Sequence, residues 1–221
     1  NTYQVVRISD TRATTIPTKD LVGLTNVIWS PTTANTLYGL DKTKAIISYS
    51  LSTGTKEVFM KNVTTYTISN RTIYYQSFQN QLVAEQIRSR DPRVLMSDTG
   101  KTLKQISVNS SGTLALLFGD GELSIQKTNG ERAMIAPLAE SMSWSPDGQL
   151  LLVSTTPTEL NIYNVDNERL FAIPQGELRL VTRLSQPIAH PQWFSDSLHV
   201  LYQTNNTLFF SEIDTRDHAI A

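Results

Sequence analysis

With no cysteine among its 221 residues, any chemistry in this sequence must come from histidine, carboxylate, hydroxyl or amine groups. The three histidines, His190, His199 and His218, stand 9 and 19 residues apart, a spacing that suits neither one helical face nor one hairpin. That spacing does not predict a metal centre. Gly100-Lys101-Thr102 has the ending of a phosphate-binding loop, but Leu95 stands where that loop needs its first glycine. No Gly-x-Ser-x-Gly elbow presents a serine nucleophile. Gly119-Asp120-Gly121-Glu122 offers oxygen ligands without the further spaced carboxylates of a calcium loop, and it reads as a tight hairpin. Asp147 and Asp196 follow tryptophan-bearing segments, where a short carboxylate caps a turn. Arg88, Arg90, Asp91 and Arg93 are the one dense charge cluster, able to dock an acidic partner or to stay solvated. No cofactor, metal or catalytic set follows from these residues.

Charge limits the partners as well. Nineteen Lys and Arg against 20 Asp and Glu give a formal net charge of −1. Broad binding to nucleic acid or to an anionic membrane surface needs a cationic surplus that is missing here. No run approaches the roughly 18 apolar residues of a membrane-spanning helix. The absence of thiols leaves the redox compartment open.

The elements that must position these groups are strands. More than one residue in five is Ser or Thr, and apolar residues seldom recur at helical spacing. Short β-rich runs instead alternate with turn clusters such as Ser52-Thr53-Gly54, Thr128-Asn129-Gly130 and Asp166-Asn167. The runs repeat. Trp29, Ile68, Val108, Trp144 and Trp193 occupy one slot at spacings of 39, 40, 36 and 49 residues. A period near 40 with four strands per unit describes the blade of a β-propeller. In the clearest unit the expected strands are A, Ser141 to Ser145; B, Gln149 to Ser154; C, Glu159 to Val165; and D, Arg169 to Ile173. Residues 6–17 align without a gap on residues 163–174, so 1–20 is expected to be the outer half of a blade. The expectation is therefore an all-β chain, a propeller with an N-terminal half-blade and five complete four-stranded antiparallel blades at 21–61, 62–101, 102–137, 138–186 and 187–221. The shared slot predicts that the tryptophans pack between blades.

Trp144-Ser145-Pro146-Asp147-Gly148 followed by Leu150 to Val153 resembles the repeat of TolB-like, WD-like propeller proteins, and the absence of the usual WD-repeat Gly-His and Trp-Asp dipeptides favours the TolB-like branch. The segment from Leu180 through Trp193 to Asp214 is similar to the propeller regions of bacterial PEGA-domain envelope proteins. That resemblance implies an exported protein, tethered to the cell envelope through an anchor upstream, with no membrane contact by the propeller itself.

The spacing of 49 between the last two tryptophans is expected to place extra residues, Gly176 to Gln186, in a D–A connection. D–A and B–C loops share one end of a blade, so Glu177, Arg179 and Arg183, with Asp120 in a B–C hairpin, are the candidate partner-binding residues. The expected function is a non-catalytic scaffold that binds a protein or peptide. The alternative is a gating propeller of a peptidase whose catalytic domain lies outside this segment.

Overall fold

The computed structural model describes residues 4–6, 13–15, 21–166 and 173–213. They fall in two compact units, Asn1–Gly100 and Lys101–Ala221.

The first unit begins with β1 (Gln4–Val6) and β2 (Ala13–Thr15), paired antiparallel with Val5 opposite Thr14. A four-stranded sheet follows, made of β3 (Thr25–Trp29), β4 (Thr36–Leu40), β5 (Ile46–Ser50) and β6 (Lys56–Met60) in chain order. The next consists of β7 (Val63–Ser69), β8 (Thr72–Ser77), β9 (Leu82–Gln86) and β10 (Pro92–Met96). In the second unit β11 (Leu103–Val108), β12 (Leu114–Phe118), β13 (Leu123–Gln126) and β14 (Arg132–Ala136) form one sheet. Another is built from β15 (Ser141–Trp144), β16 (Leu150–Thr156), β17 (Glu159–Asn164) and β18 (Leu178–Arg183). The last described sheet is three-stranded, β19 (Ala189–Trp193), β20 (His199–Thr204) and β21 (Thr207–Glu212). Every pairing is antiparallel between consecutive strands, so each sheet is a simple meander. Such a meander puts A–B and C–D turns at one end of the sheet and B–C and D–A turns at the other. These are the sheets a β-propeller requires, as the repeat predicts. A fourth strand for the last sheet would fall in 214–221, outside the described residues.

Side-chain alternation stacks the sheets. Along β16, Leu151 and Val153 point into a cluster with Leu117, Leu123 and Ile125 of the preceding sheet. Leu150 and Leu152 point the other way, to Val200 and Tyr202 of the following sheet. Both faces of such a strand are dry, so it reads as an unbroken apolar run, Leu-Leu-Leu-Val; each leucine buried this way contributes about 2 kcal/mol. The first unit repeats the arrangement. Tyr38, Leu40 and Ile46 meet Val63, Tyr66 and Ile73 on one side, while Leu21 and Leu24 cover Leu37 and Tyr49 on the other. Outer strands differ: the central residue of each, Val58, Val94, Met134 or Leu180, is about half exposed. First strands of adjacent sheets lie side by side, β3 with β7, β11 with β15 and β15 with β19.

One strand is not where the sequence suggests. The fourth strand of the β15–β18 sheet is 178–183, not Arg169 to Ile173. Residues 174–177 instead turn back, with Gly176 at φ 80° and its N–H donated to the Asn164 carbonyl. Asn164 is buried and donates Nδ2 to the Ile173 carbonyl at 2.7 Å, while Ile173 plugs the apolar cluster below. Leu178 then pairs with Tyr163 to begin β18. The extra residues therefore lie in the C–D connection, at the opposite end of the sheet from the expected D–A loop. Residues 167–172 of that connection are outside the described set.

Candidate functional site

The A–B hairpins of the second unit are built by side-chain caps. Asn109 Oδ1 accepts the N–H groups of Ser111 and Thr113 at 3.1 and 2.8 Å. Ser145 Oγ accepts from Leu150 N at 3.0 Å and donates to Asp147 Oδ1 at 2.5 Å, and that oxygen also accepts from Gln149 N at 3.1 Å. Asp196 Oδ1 takes Leu198 N and His199 N, and Oδ2 meets His199 Nδ1 at 2.6 Å. Burial works to raise the Asp196 pKa, but these donors, led by Leu198 N, prevail and lower it. Asp147 and Asp196 are thus turn caps, as their position after strand A predicts.

The hairpins also link sheet to sheet. Asn109 Nδ2 donates to the Gly148 carbonyl at 2.8 Å, and Asp147 N donates to Ser197 Oγ at 3.1 Å. Gly148 is held twice, by φ 75° and by contact, since a Cβ there would lie 2.9 Å from Ser110 Oγ and 3.2 Å from Asn109 Cβ. Beside this junction opens a cleft of about 340 Å³, lined by Ser110, Ser111, Lys127, Asp147, Gln149, Asp166 and Gln175 among others. The caps have already committed Asn109 and one oxygen of Asp147. Lys127, whose Glu131 partner is 3.7 Å away, keeps a cation available to a ligand. The cleft can hydrogen-bond a polar segment; Ser145, buried behind Asp147, serves the turn.

At the other end of the β11–β14 sheet, Asp120 lies in the B–C hairpin, as predicted, but it is not alone. Lys101 Nζ bridges Asp120 Oδ2 at 2.6 Å and Glu122 Oε2 at 2.7 Å, and Arg132 reaches Glu122 Oε1 at 3.1 Å. Both cations lie over the Phe118 ring. The Lys101 hydrogen bond holds Asp120 and Glu122 below the usual carboxylate range, and the Asp120 hydrogen bond raises Lys101.

Of the other candidates, Glu177 closes the C–D connection and pairs with Arg179 of β18, whose Nε is 2.8 Å from Glu177 Oε2. Arg183 ends the same strand and pairs with Glu159 at 2.6 Å. These three residues are therefore distributed along an outer strand, with Glu177 and Arg183 at its two ends, and no contact joins them to Asp120. Within the charge cluster, Arg90 Nε bonds Glu85 at 2.7 Å, its Nη2 donates to the Phe59 carbonyl, and its guanidinium lies 4.3 Å from the Phe59 ring centre. Among the described residues no three His, Asp or Glu side chains converge on a metal position. His199 stacks on Phe210, and His218 lies outside the described residues. Sequence reasoning missed Lys101 as the shared partner of Asp120 and Glu122, missed Arg132 as the second partner of Glu122, and missed the cleft. The signal for the cleft was the meander itself, which brings A–B and C–D turns to one end.

Trp144 and Trp193 pack on the apolar clusters of the sheet before each, and Trp193 Nε1 donates to the Ser143 carbonyl at 3.0 Å. Trp29 is 51% exposed, unlike its equivalents. The slot packs backward, and no four-stranded sheet precedes β3 among the described residues.

Comparison with known proteins agrees with this construction. The family model of the anaphase-promoting complex subunit 4 WD40 domain matches residues 108–185. No curated protein matches the chain in sequence. Among solved structures, the Cps50 (Swd1) β-propeller domain of Myceliophteria thermophila superposes with a TM-score of 0.56 at 17% identity, over 86% of this chain and 70% of that one. The extracellular domain of the putative one-component system BT4673 from B. thetaiotaomicron gives 0.61 at 16% identity, over 87% of this chain and 27% of that one. A chain of the mitotic checkpoint complex gives 0.66 at 14% identity, over 95% and 69%. The fold is that of a WD40-like β-propeller. At these identities the likeness speaks for the fold alone.

Proposed function

We propose that this chain is a non-catalytic scaffold that holds a protein or peptide partner on the turns at the ends of its sheets. The observation that carries the reading is the interlocked row of A–B hairpins around Gly148, which fixes turn side chains beside an open polar cleft. Binding loops held on a rigid frame lose little freedom on association. WD40-like propellers are in general scaffolds for protein–protein contact, and the acids beside these turns, Asp120, Glu122, Asp147 and Asp196, are engaged in caps and ion pairs. The test is photo-crosslinking from residues placed at Ser110, Lys127 and Gln149 in the full-length protein in its native host. A partner captured reproducibly from these positions, and not from a position on an outer strand, supports the reading. Absence of any partner at every position tested removes it.

The similarity of the 180–214 segment to PEGA-associated propellers motivates a further proposal, that the domain faces the exterior on the bacterial envelope. Among the structural neighbours, one is an extracellular domain and another belongs to the mitotic checkpoint complex, so that proposal stands on the sequence resemblance. Protease accessibility of the domain in intact cells tests it directly, and full protection there would overturn it.

A further inference from the structure

The end of the β7–β10 sheet that bears its A–B hairpin and C–D turn carries more positive charge than it can use internally. Arg71 sits in the hairpin, Arg88 in the turn and Arg93 on β10 beside it. All three are exposed and, among the described residues, none forms an ion pair. The two turns are joined at the backbone, where Ile87 N donates to the Arg71 carbonyl at 3.0 Å. Arg90, in the same turn, is spent on Glu85 and on Phe59 of the neighbouring sheet, which fixes the turn in place. Asp91 is the one exposed acid of this turn.

The hairpin itself points the same way. Asn70 and Arg71 have φ of 46° and 67°, the two-residue turn whose second position normally takes glycine because both residues are left-handed. An arginine there costs conformational energy that a glycine would spare. Its side chain is exposed.

We propose that this end of the sheet docks an acidic segment of a partner protein, with carboxylates paired by Arg71, Arg88 and Arg93. The inference rests on the scaffold function proposed above and names the chemistry of one partner. Arginine suits the task because its planar fork meets a carboxylate through two parallel hydrogen bonds. A protein segment fits better than a nucleic acid. The surplus is confined to three side chains at one sheet end in a chain of net charge −1, whereas a polyanion requires a long basic stripe.

The test measures fluorescence anisotropy of a labelled octaglutamate peptide with the whole chain at low salt, beside an eight-nucleotide single strand. Binding of the peptide should weaken about tenfold or more in Arg71→Ser/Arg88→Ser/Arg93→Ser, as expected for loss of several charge-assisted pairs. Lys42→Ser/Lys61→Ser, which removes two exposed cations elsewhere in the same unit, should leave it unchanged. Arg71→Gly adds a readout that a purely structural arginine would not give, a raised melting temperature together with weaker peptide binding. Equal binding by the triple variant overturns the proposal, and so does an oligonucleotide that binds as tightly as the peptide. Crosslinking from position 88 in the native host separates the two levels of inference. A partner found only at other loops rejects this site and leaves the scaffold reading intact; no partner anywhere rejects both.

Discussion

The A–B hairpins of the two units solve one problem in different ways. In the second unit the residue four positions after the slot is always left-handed, Gly112 at φ 85°, Gly148 at 75° and Ser197 at 62°. A polar side chain caps each turn, and hydrogen bonds run from hairpin to hairpin across sheets. In the first unit the corresponding turns are a longer loop, capped by Ser30 on Thr33 N at 3.0 Å, and the tight Asn70-Arg71 turn. Among the described residues they bond only within their own sheets. The difference teaches that the repeat is conserved as geometry in one unit and survives only as strand pattern in the other. The stretch matched by the WD40 family model lies within the interlocked unit.

The largest effect that separates the two designs should come from the tryptophan slot. Trp193→Ala removes an aromatic side chain from an apolar cluster and leaves the Ser143 carbonyl without its donor, a loss of about 3 kcal/mol. Trp29→Ala, at the equivalent but half-exposed position, should cost about 1 kcal/mol or less. Chemical denaturation of the two variants makes the comparison, and equal losses would mean that the slot is not used differently. Glycine comes next. Gly148→Ala adds a close contact to an unfavourable left-handed backbone and should cost about 2–3 kcal/mol. Gly54→Ala has the backbone penalty alone, since nothing lies within 4 Å of its new Cβ, and should cost about 1 kcal/mol.

The third pair sharpens the role of the caps. Asn109→Ala deprives two N–H groups and the Gly148 carbonyl of their partners and should destabilise by about 2 kcal/mol. Ser30→Ala removes one exposed cap and should cost about 0.5–1 kcal/mol. Amide hydrogen exchange locates the damage. Protection should fall in Asn109→Ala across both 109–113 and 147–150, whereas Ser30→Ala should affect only its own turn.

These contrasts mark what the sequence could convey. The period of about 40 residues and the strand pattern were legible because buried middle strands such as Leu114–Phe118 must be apolar on both faces. Turn caps were legible because Asp147 and Asp196 act within two or three residues of themselves. The outer strand at 178–183 was not. Two short apolar stretches, one ending at Ile173 and one starting at Leu178, both suit an exposed edge, and the choice rests on Asn164 reaching the Ile173 carbonyl nine residues away. The cleft and the Arg71–Arg88 proximity were equally hidden, since each joins turns that are distant in sequence and adjacent only after the meander forms. Asp120 was placed in its hairpin correctly, but its lysine partner comes from 19 residues earlier, where no local pattern points to it.

The smallest expected effect concerns two kinds of depressed carboxylate, one in each unit. Asp41 is lowered against the pull of burial by the N–H groups of Ala45 and Thr43 and by the Thr43 hydroxyl, dipoles fixed by the turn. Asp120 and Glu122 are lowered chiefly by the Lys101 hydrogen bonds, on an exposed surface. For each acid the folded pKa lies below the unfolded one. The stabilisation is therefore complete above the ordinary carboxylate pKa and disappears as pH falls through the folded value. Lys101 is raised above 10.5, so its share persists below that pH and is lost as pH climbs past it. The Lys101→Met difference in melting temperature should then be greatest near neutrality and vanish at both extremes. Salt distinguishes the two kinds. At 1 M ionic strength, where the screening length is about 3 Å, the Lys101→Met difference should shrink markedly. The Asp41→Ala difference should persist, because its hydrogen-bonded N–H donors are in direct contact and belong to the backbone. If both respond equally to salt, the carboxylate of Asp41 is held by the charge of Lys42 and not by its turn, and the distinction between the units fails at this level.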